Sequence, residues 1–282
     1  MKKIKKATIN SIFHLSIQIM FLLLFPSAFT AAFSGVKYIF TQIGLKKTIE
    51  VTSFVMILIG LCVYTIIFGR FFCGYACAFG ALNDVVRSIY AGICKKRKKK
   101  PKSMNTKLVD KLLALKYVVL VAIIVMCYLS VYQNLSGTSP WDVFSMLQAG
   151  NFKLGSHIIG LIVLIVLVIG MIFEERFFCK FFCPMGAVFS ILPVFPMFNL
   201  FRDRENCIKG CKTCERNCPA NIELPESGKI AVSGDCIQCQ KCIQVCPKKN
   251  IHTGIRRIKG NEIWFTAARV IILIGVFLWL GI

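Results

Sequence analysis

The sequence has few histidines and lacks the short motifs that mark most nucleotide-binding, zinc-dependent or acyl-transferring enzymes. No G-x-G-x-x-G opens a helix after a strand, which argues against a nicotinamide or flavin dinucleotide fold. No P-loop, H-E-x-x-H or nucleophile elbow occurs either. The three histidines do not suit a b-type haem, because the predicted spans put His14 near the inner side of the membrane and His157 near the outer side. The chain therefore shows no familiar substrate-processing apparatus.

Acidic residues are also scarce. Asp and Glu number 13 against 35 Lys and Arg, a formal net charge of +22, although 56% of the 282 residues are hydrophobic. Pro26 is expected to kink the first apolar stretch, as membrane helices tolerate. Crossing a hydrocarbon core takes about 20 residues, and five stretches approach that length: about 11–33, 51–72, 112–132, 156–173 and 263–282. The composition predicts a multi-pass membrane protein.

The basic residues predict how the chain is oriented in the membrane. Four lysines precede the first stretch, seven Lys and Arg lie between 95 and 102, and the loop 133–155 has Lys153 as its only basic residue. By the positive-inside rule, the N-terminus and the cysteine-rich region after residue 200 face the cytoplasm of a bacterial cell, and the C-terminus lies outside. Anionic lipid headgroups explain the basic run without nucleic acid.

Cysteine is the abundant reactive residue, with 15 copies, and eight of them form two runs that each end in Cys-Pro. The second run matches C-x2-C-x2-C-x3-C-P, the ligand pattern of bacterial [4Fe–4S] ferredoxins. The first run has one extra residue, which Gly210 can absorb at positive φ. A zinc ribbon also pairs C-x2-C motifs, but not in three-cysteine runs closed by C-x3-C-P. A disulfide scaffold does not suit a reducing cytosol. The runs predict two [4Fe–4S] clusters and one-electron transfer.

The two-cluster ferredoxin pattern also predicts which cysteine binds which cluster. In that pattern the fourth cysteine of each run ligates the other run's cluster. We therefore expect cluster 1 at Cys207, Cys211, Cys214 and Cys246, and cluster 2 at Cys236, Cys239, Cys242 and Cys218. Nearby lysines would suit an acidic soluble partner such as a flavodoxin or ferredoxin, although positive-inside bias explains them as well: Lys209, Lys212, Lys241, Lys248 and Lys249.

An internal repeat carries four more cysteines. Residues 70–81 and 176–187 share Arg, Phe, Phe, both Cys, Gly and Ala at an offset of 106 positions. This predicts a duplicated helical hairpin, with repeat 1 at about 11–94 and repeat 2 at about 112–200. The repeated cysteines could form a third metal centre of soft thiolate ligands, or two redox dithiols, each on one face of a helix: Cys73, Cys77, Cys179 and Cys183.

Each repeated block begins with an arginine, either Arg70 or Arg176. We predict both as accessory residues that contact an anion or a quinone carbonyl, with snorkelling to the membrane interface as the alternative. The predicted fold is an all-α polytopic membrane domain over 1–200 and a small α+β two-cluster ferredoxin-like domain over 201–260. A C-terminal membrane helix over 261–282 completes it.

Together these features resemble the NapH/NosR-type family of membrane-bound iron–sulfur electron-transfer proteins. The two C-x3-C pairs match the family's twin motif, and Cys207 to Cys246 match its ferredoxin motif. Three departures stand out. Ala78 replaces an expected proline, the span 263–282 is additional, and nothing supplies the extracytoplasmic flavin domain of NosR-like members.

The resemblance implies a relay of electrons between the quinone pool, or another membrane donor, and a partner redox protein. On that interpretation the chain is an electron-transfer subunit of an oxidoreductase system and not a complete enzyme. Two alternatives stay open. One is a metal-ion (copper) or disulfide reductase that uses the twin C-x3-C pairs. The other is a non-catalytic redox-sensing or assembly factor.

Overall fold

A computed structural model describes residues 2–99, 101, 104–132, 139–152, 155, 157–193, 195, 200–202, 206–222, 234–253 and 262–282. Lys100, Lys102 and Lys153 of the predicted loops lie outside these ranges. The described chain is mainly helical, with α1 (Lys2–Leu24), α2 (Ala28–Gly44), α3 (Ser53–Phe68), α4 (Phe71–Tyr75), α5 (Ala78–Lys96), α6 (Thr106–Leu112), α7 (Leu115–Tyr128), α8 (Pro140–Gln148), α9 (Ile158–Phe173), α10 (Phe177–Phe181), α11 (Pro184–Ile191), β1 (Leu200–Arg202), α12 (Thr213–Arg216), α13 (Lys241–Val245), β2 (Ile251–Thr253) and α14 (Glu262–Trp279).

The internal repeat is visible in the order and length of the helices. A 16-residue apolar helix, a one-turn helix and a further helix follow one another as α3–α4–α5 and again as α9–α10–α11. The turn after the apolar helix contains a left-handed residue in both copies, Gly69 at φ 71° and Arg176 at φ 58°. Glycine adopts that conformation at no steric cost, whereas arginine does not. The two copies therefore share one local architecture despite different turn residues.

Pro26 ends the first helix instead of kinking it. Proline has no N–H to donate and its ring collides with the preceding turn. As a result α1 stops at Leu24, α2 begins at Ala28, and the two axes meet at 60°. The apolar stretch predicted over 11–33 is thus split between two helices.

Membrane-spanning length is reached by few of the described helices. α14 is long and apolar enough to cross by itself, and the bent α1–α2 pair would count as a second span if it acts as one. α3 and α9 are apolar but only 16 residues long. At 1.5 Å per residue such a helix measures about 24 Å, a little short of the roughly 30 Å core.

The chain divides into two compact units. The first consists of 1–21, 60–76 and 189–282, and the second of 22–59 and 77–188. The first unit holds α4, both cysteine runs, the two strands and α14. The second holds α2 and α5 to α10. The division falls between Ala76 and Cys77, so the first C-x3-C pair is shared between the units.

Aromatic side chains form the core of the second unit. The ring centroid of Phe79 lies 4.7 Å from that of Phe178 and 5.3 Å from that of Phe29. Trp141 meets Phe33 edge to face at 5.2 Å. Such offset and edge-to-face pairs add about 0.5–1.5 kcal/mol each to the burial of the rings. The phenylalanines of the two repeated blocks thereby hold α2, α5, α8 and α10 together.

Candidate functional site

Both cysteine runs fold around one small sheet in the first unit. β1 pairs with β2 in antiparallel register, with Leu200 opposite Thr253 and Arg202 opposite Ile251. Two short helices, α12 and α13, carry the third cysteine of each run, Cys214 and Cys242. These pack with Leu200, Ile243 and Ile251 in a common apolar core. The order β1–α12–α13–β2 agrees with the predicted ferredoxin-like module.

The first cavity of this module has a volume of about 360 Å³ and is lined by thiols from both runs. Its cysteines are Cys207, Cys211, Cys214 and Cys246. Asn250 donates its backbone N–H to the Cys246 sulfur at 3.4 Å and turns its side-chain amide toward Cys207 at 3.9 Å. We call this space the cluster 1 cavity.

The second cavity, of about 350 Å³, is likewise lined by cysteines of both runs: Cys214, Cys218, Cys236, Cys239 and Cys242. Four of these five thiols are the set predicted for cluster 2, and Cys214 stands in the wall between the two cavities. Four thiols around one apolar cavity are the donor set that a [4Fe–4S] cluster requires. We call this space the cluster 2 cavity.

No three His, Cys, Asp or Glu side chains of the described residues stand close enough together for a single metal ion. Thiolates that bind the four corners of an iron–sulfur cube lie further apart than the ligands of one ion. The cavities lined by cysteines of both runs offer the donor set of a cluster.

The two cavities differ in electrostatics. Burial raises the pKa of the Cys236 thiol to about 11, although Arg70 and Arg269 favour its thiolate form. Burial also raises the pKa of the Cys242 thiol. In the cluster 1 cavity, a hydrogen bond with Thr213 lowers the pKa of the Cys211 thiol. Burial thus dominates the pKa of two thiols in the cluster 2 cavity, whereas a hydrogen bond dominates that of Cys211 in the cluster 1 cavity.

The loop that carries Cys236 and Cys239 packs against the first repeated block. Arg70, which is buried, donates to the carboxylate of Asp235 at 3.3 Å and to the hydroxyl of Ser190 at 3.1 Å. The Ser190 hydroxyl also donates to Asp235 at 2.8 Å. Gly74 lies so close to the carbonyl oxygen of Ile237 that a Cβ at this position would overlap that oxygen. The cluster 2 cavity thus adjoins α4, the helix that carries Cys73.

α14 supports the same loop from another side. Thr266 accepts a hydrogen bond from the side-chain amide of Gln240 at 2.7 Å, and Arg269 donates to the side-chain oxygen of Gln238 at 3.4 Å. Both glutamines are buried and left-handed, at φ 59° and 56°. Such a conformation costs about 1–3 kcal/mol in a non-glycine residue and persists where the surroundings impose it.

Adding a methyl group at Gly74 should separate this loop from α4. We expect Gly74→Ala to lower the free energy of unfolding by about 1–3 kcal/mol, as overpacking of a tight contact does, and to lower the iron content. Thermal unfolding and iron analysis measure the two effects. Gly92→Ala is the matched control, because no atom lies within 4 Å of a Cβ built there. Equal iron content and stability in both variants would contradict the contact.

The repeated C-x3-C pairs do not lie on one continuous helix, which corrects the prediction that each pair occupies one helical face. Cys73 belongs to α4 and Cys179 to α10, whereas Cys77 and Cys183 precede the next helices as N-caps. The Cys183 sulfur accepts the backbone N–H of Gly186 at 3.1 Å, a capping role. Their use as metal ligands or dithiols stays a prediction.

The two arginines of the repeated blocks are buried and paired with carboxylates of this chain. Arg70 pairs with Asp235, as described above, and Arg176 pairs with Asp84. The backbone N–H of Arg176 also donates to the Asn83 side chain at 2.9 Å. Neither guanidinium snorkels to an interface. In this structure both act as internal ties, and contact with an anion or quinone stays a prediction.

Comparisons with known proteins place these features in a family. A family model described as "4Fe-4S binding domain" matches residues 51–101 and 156–195, the two segments that contain the repeated C-x3-C pairs. The uncharacterized protein MJ0750 of Methanocaldococcus jannaschii is 32% identical over 79% of this chain and 86% of its own length. No solved structure matches the chain.

Two further relatives have descriptive names. Protein NirI of Paracoccus denitrificans is 29% identical over 61% of this chain, which spans only 24% of that protein. Ferredoxin-type protein NapH of Haemophilus influenzae is 24% identical over 66% of this chain and 62% of its own length. The resemblance stated from the motifs is confirmed by these matches and by those to NosR proteins. The chain belongs to the NapH/NosR-type family of ferredoxin-like [4Fe–4S] electron-transfer proteins.

Proposed function

We propose that this chain is a multi-pass membrane protein that relays electrons between a membrane donor, the quinone pool first among them, and a soluble redox partner. Two [4Fe–4S] clusters would carry the electrons one at a time, which is the chemistry they supply when bound. The observation that carries the proposal is the pair of adjoining cavities, each lined by thiols from both cysteine runs.

Several features support attachment to a membrane. α14 has the length and apolarity of a span. α9 has no charged residue, and it exposes a set of large apolar side chains that lipid would cover: Ile158, Ile159, Ile162, Val163, Ile165, Val166 and Ile169. Patches of that size are rare on soluble monomers. The lysines at the start of α1 and the basic residues at and after the end of α5 favour a cytoplasmic position for the ferredoxin-like module under the positive-inside rule.

The structure also suggests an order for the electron path. The cluster 2 cavity adjoins α4 of the first repeated block, and its ligand loop is held by α14. The cluster 1 cavity is bordered by Lys248 and the half-exposed Ile208. Other exposed basic residues are close in sequence to its ligands: Lys209, Lys212 and Lys249. We propose entry at cluster 2 and exit at cluster 1, where a basic rim would attract an acidic carrier.

An anaerobic iron and sulfide assay with electron paramagnetic resonance (EPR) tests the proposal. We expect about eight irons per chain, four for each cluster. We also expect EPR signals of reduced clusters when the protein is reconstituted into a membrane and reduced quinone is added. A variant with Ser at all four repeated cysteines shows whether electrons from quinol need these thiols to reach the clusters. The four positions are Cys73, Cys77, Cys179 and Cys183. Clusters that dithionite reduces but quinol does not would contradict the quinone as donor.

A second candidate gives the repeated cysteines a redox centre of their own. The family model described as a 4Fe-4S binding domain covers these blocks and not the two cysteine runs. This favours a third metal centre, or the metal-ion or disulfide reductase that uses the same thiols. More than eight irons in the wild type, falling to about eight in the quadruple variant, would support the third centre. About eight in both would leave these cysteines as thiols.

A further inference from the structure

The largest fully buried side chain of the described residues that carries a charge is Arg269, which is 1% exposed. It lies eight residues into α14, the helix with the length and composition of a membrane span. A charged residue inside such a helix is costly and is retained where it has a partner and a task. It lies about 10 Å from the start of the helix at 1.5 Å per residue.

Three partners of Arg269 belong to the first unit, and one of them, Gln238, lies in the loop between two cysteines of the cluster 2 cavity. Its guanidinium donates to the neutral amide oxygen of Gln238, the residue between Ile237 and Cys239 in the ligand loop. It lies 5.7 Å above the ring of Phe71, at the start of α4. Its backbone carbonyl accepts the hydroxyl of Tyr64 at 3.0 Å, which fixes this turn of the helix against α3.

We propose that Arg269 is a positioning residue that sets the reduction potential of cluster 2. The inference rests on the proposed function, because it concerns the clusters that this function requires. Gaining an electron makes a cluster more negative, and a fixed positive charge in a weakly solvated site stabilises that state. The guanidinium therefore raises the reduction potential of cluster 2, so that this cluster accepts an electron more readily than it would without the charge. The hydrogen bond to Gln238 holds the charge beside the loop.

The cluster 1 cavity contains a natural comparison. Arg202, in β1, is also buried, and it points to the Cys214 sulfur at 3.6 Å. Its guanidinium is paired with the carboxylate of Glu215 at 2.8 Å, which offsets the positive charge. Arg202 thus lines the cluster 1 cavity with its charge offset by a carboxylate, whereas Arg269 lies beside the cluster 2 ligand loop and donates to an amide.

A redox titration followed by EPR tests the inference on the full-length, cluster-loaded protein. In Arg269→Gln we expect one of two midpoints to fall, so that the reduced-to-oxidised ratio at the wild-type midpoint drops about tenfold, equivalent to about 59 mV for one electron. Arg269→Lys retains the charge and should shift the midpoint by less than half as much. Arg202→Gln should not shift the midpoint that falls in Arg269→Gln. Any shift it causes should be in the other midpoint, which belongs to cluster 1.

Each outcome decides the inference. An unchanged midpoint in an Arg269→Gln protein with full iron content would overturn it, as would a shift of the same midpoint in Arg202→Gln. If Arg269→Gln assembles only one cluster, Arg269→Lys decides. Full iron with a midpoint close to wild type supports the electrostatic role, whereas a missing cluster in both variants shows a packing role alone and overturns it. A wild type that binds no cluster would contradict the proposed function instead.

Discussion

Replacing Cys218 with Ser should remove the cluster of the second run, although Cys218 belongs to the first. We expect iron to fall from about eight towards about four atoms per chain, because a cluster with three of its four thiolate ligands is held more weakly. The physical reason is the lining of the cluster 2 cavity, which contains Cys218 together with Cys236, Cys239 and Cys242. Iron and sulfide analysis of anaerobically purified protein measures the loss.

Double variants show which cysteines share a cluster. If the crossed assignment holds, Cys218→Ser combined with Cys239→Ser should still bind about four irons, since both changes affect the same cluster. Cys218→Ser combined with Cys211→Ser should bind almost none. Ligand sets confined to each run would reverse this pattern. Cys94→Ser, outside both cavities, is the control and should retain all the iron.

Lys180→Met should destabilise the second repeat more than the removal of an exposed charge would. The ammonium of Lys180 donates to the Glu174 carboxylate at 2.6 Å, and the two side chains are only 6% and 9% exposed. Removal of one partner leaves the other charge buried, which costs about 3–5 kcal/mol. We expect a corresponding fall in the thermal midpoint of the detergent-solubilised protein, followed by circular dichroism.

The compensating double variant provides the control. Glu174→Gln together with Lys180→Met removes both charges and should recover most of the lost stability, because a neutral pair pays no desolvation of an isolated ion. Lys209→Met, at an exposed position, should have little effect. A single variant as stable as the wild type would show that Glu174 reaches water once its partner is gone.

The cysteine pattern predicted much of the candidate site because cluster ligands obey local spacing. The third cysteine of each run lies on a short helix and the fourth follows it. The first three thiols of a run therefore line one cavity, and the fourth reaches the cavity of the other run. The cavity linings contain the predicted ligand sets, and their use as cluster ligands stays a prediction. The internal repeat was visible for a similar reason, since Arg, Phe and Cys recur at fixed intervals in α4 and α10.

Helix ends and long-range contacts could not be predicted in the same way. An apolar run has no periodic signal that marks where a helix stops, so the break at Pro26 was expected only as a kink. The assignment of each C-x3-C pair to one helix was wrong because the chain turns before Cys77 and before Cys183. The tie between Gln238 and Arg269 joins residues 31 positions apart. One clue was present, namely a charge within the final apolar span.

The support that α14 gives to the cluster 2 loop has a consequence for biosynthesis. Thr266 and Arg269 follow all eight ferredoxin cysteines in the chain, so the ribosome makes them after the ligands. A nascent chain that has reached Cys246 already carries every predicted thiolate ligand but not the residues that hold Gln238 and Gln240. Completion of the cluster 2 site is thereby coupled to the synthesis and docking of α14. A chain released early would have the ligands for this cluster without the framework that holds them in place.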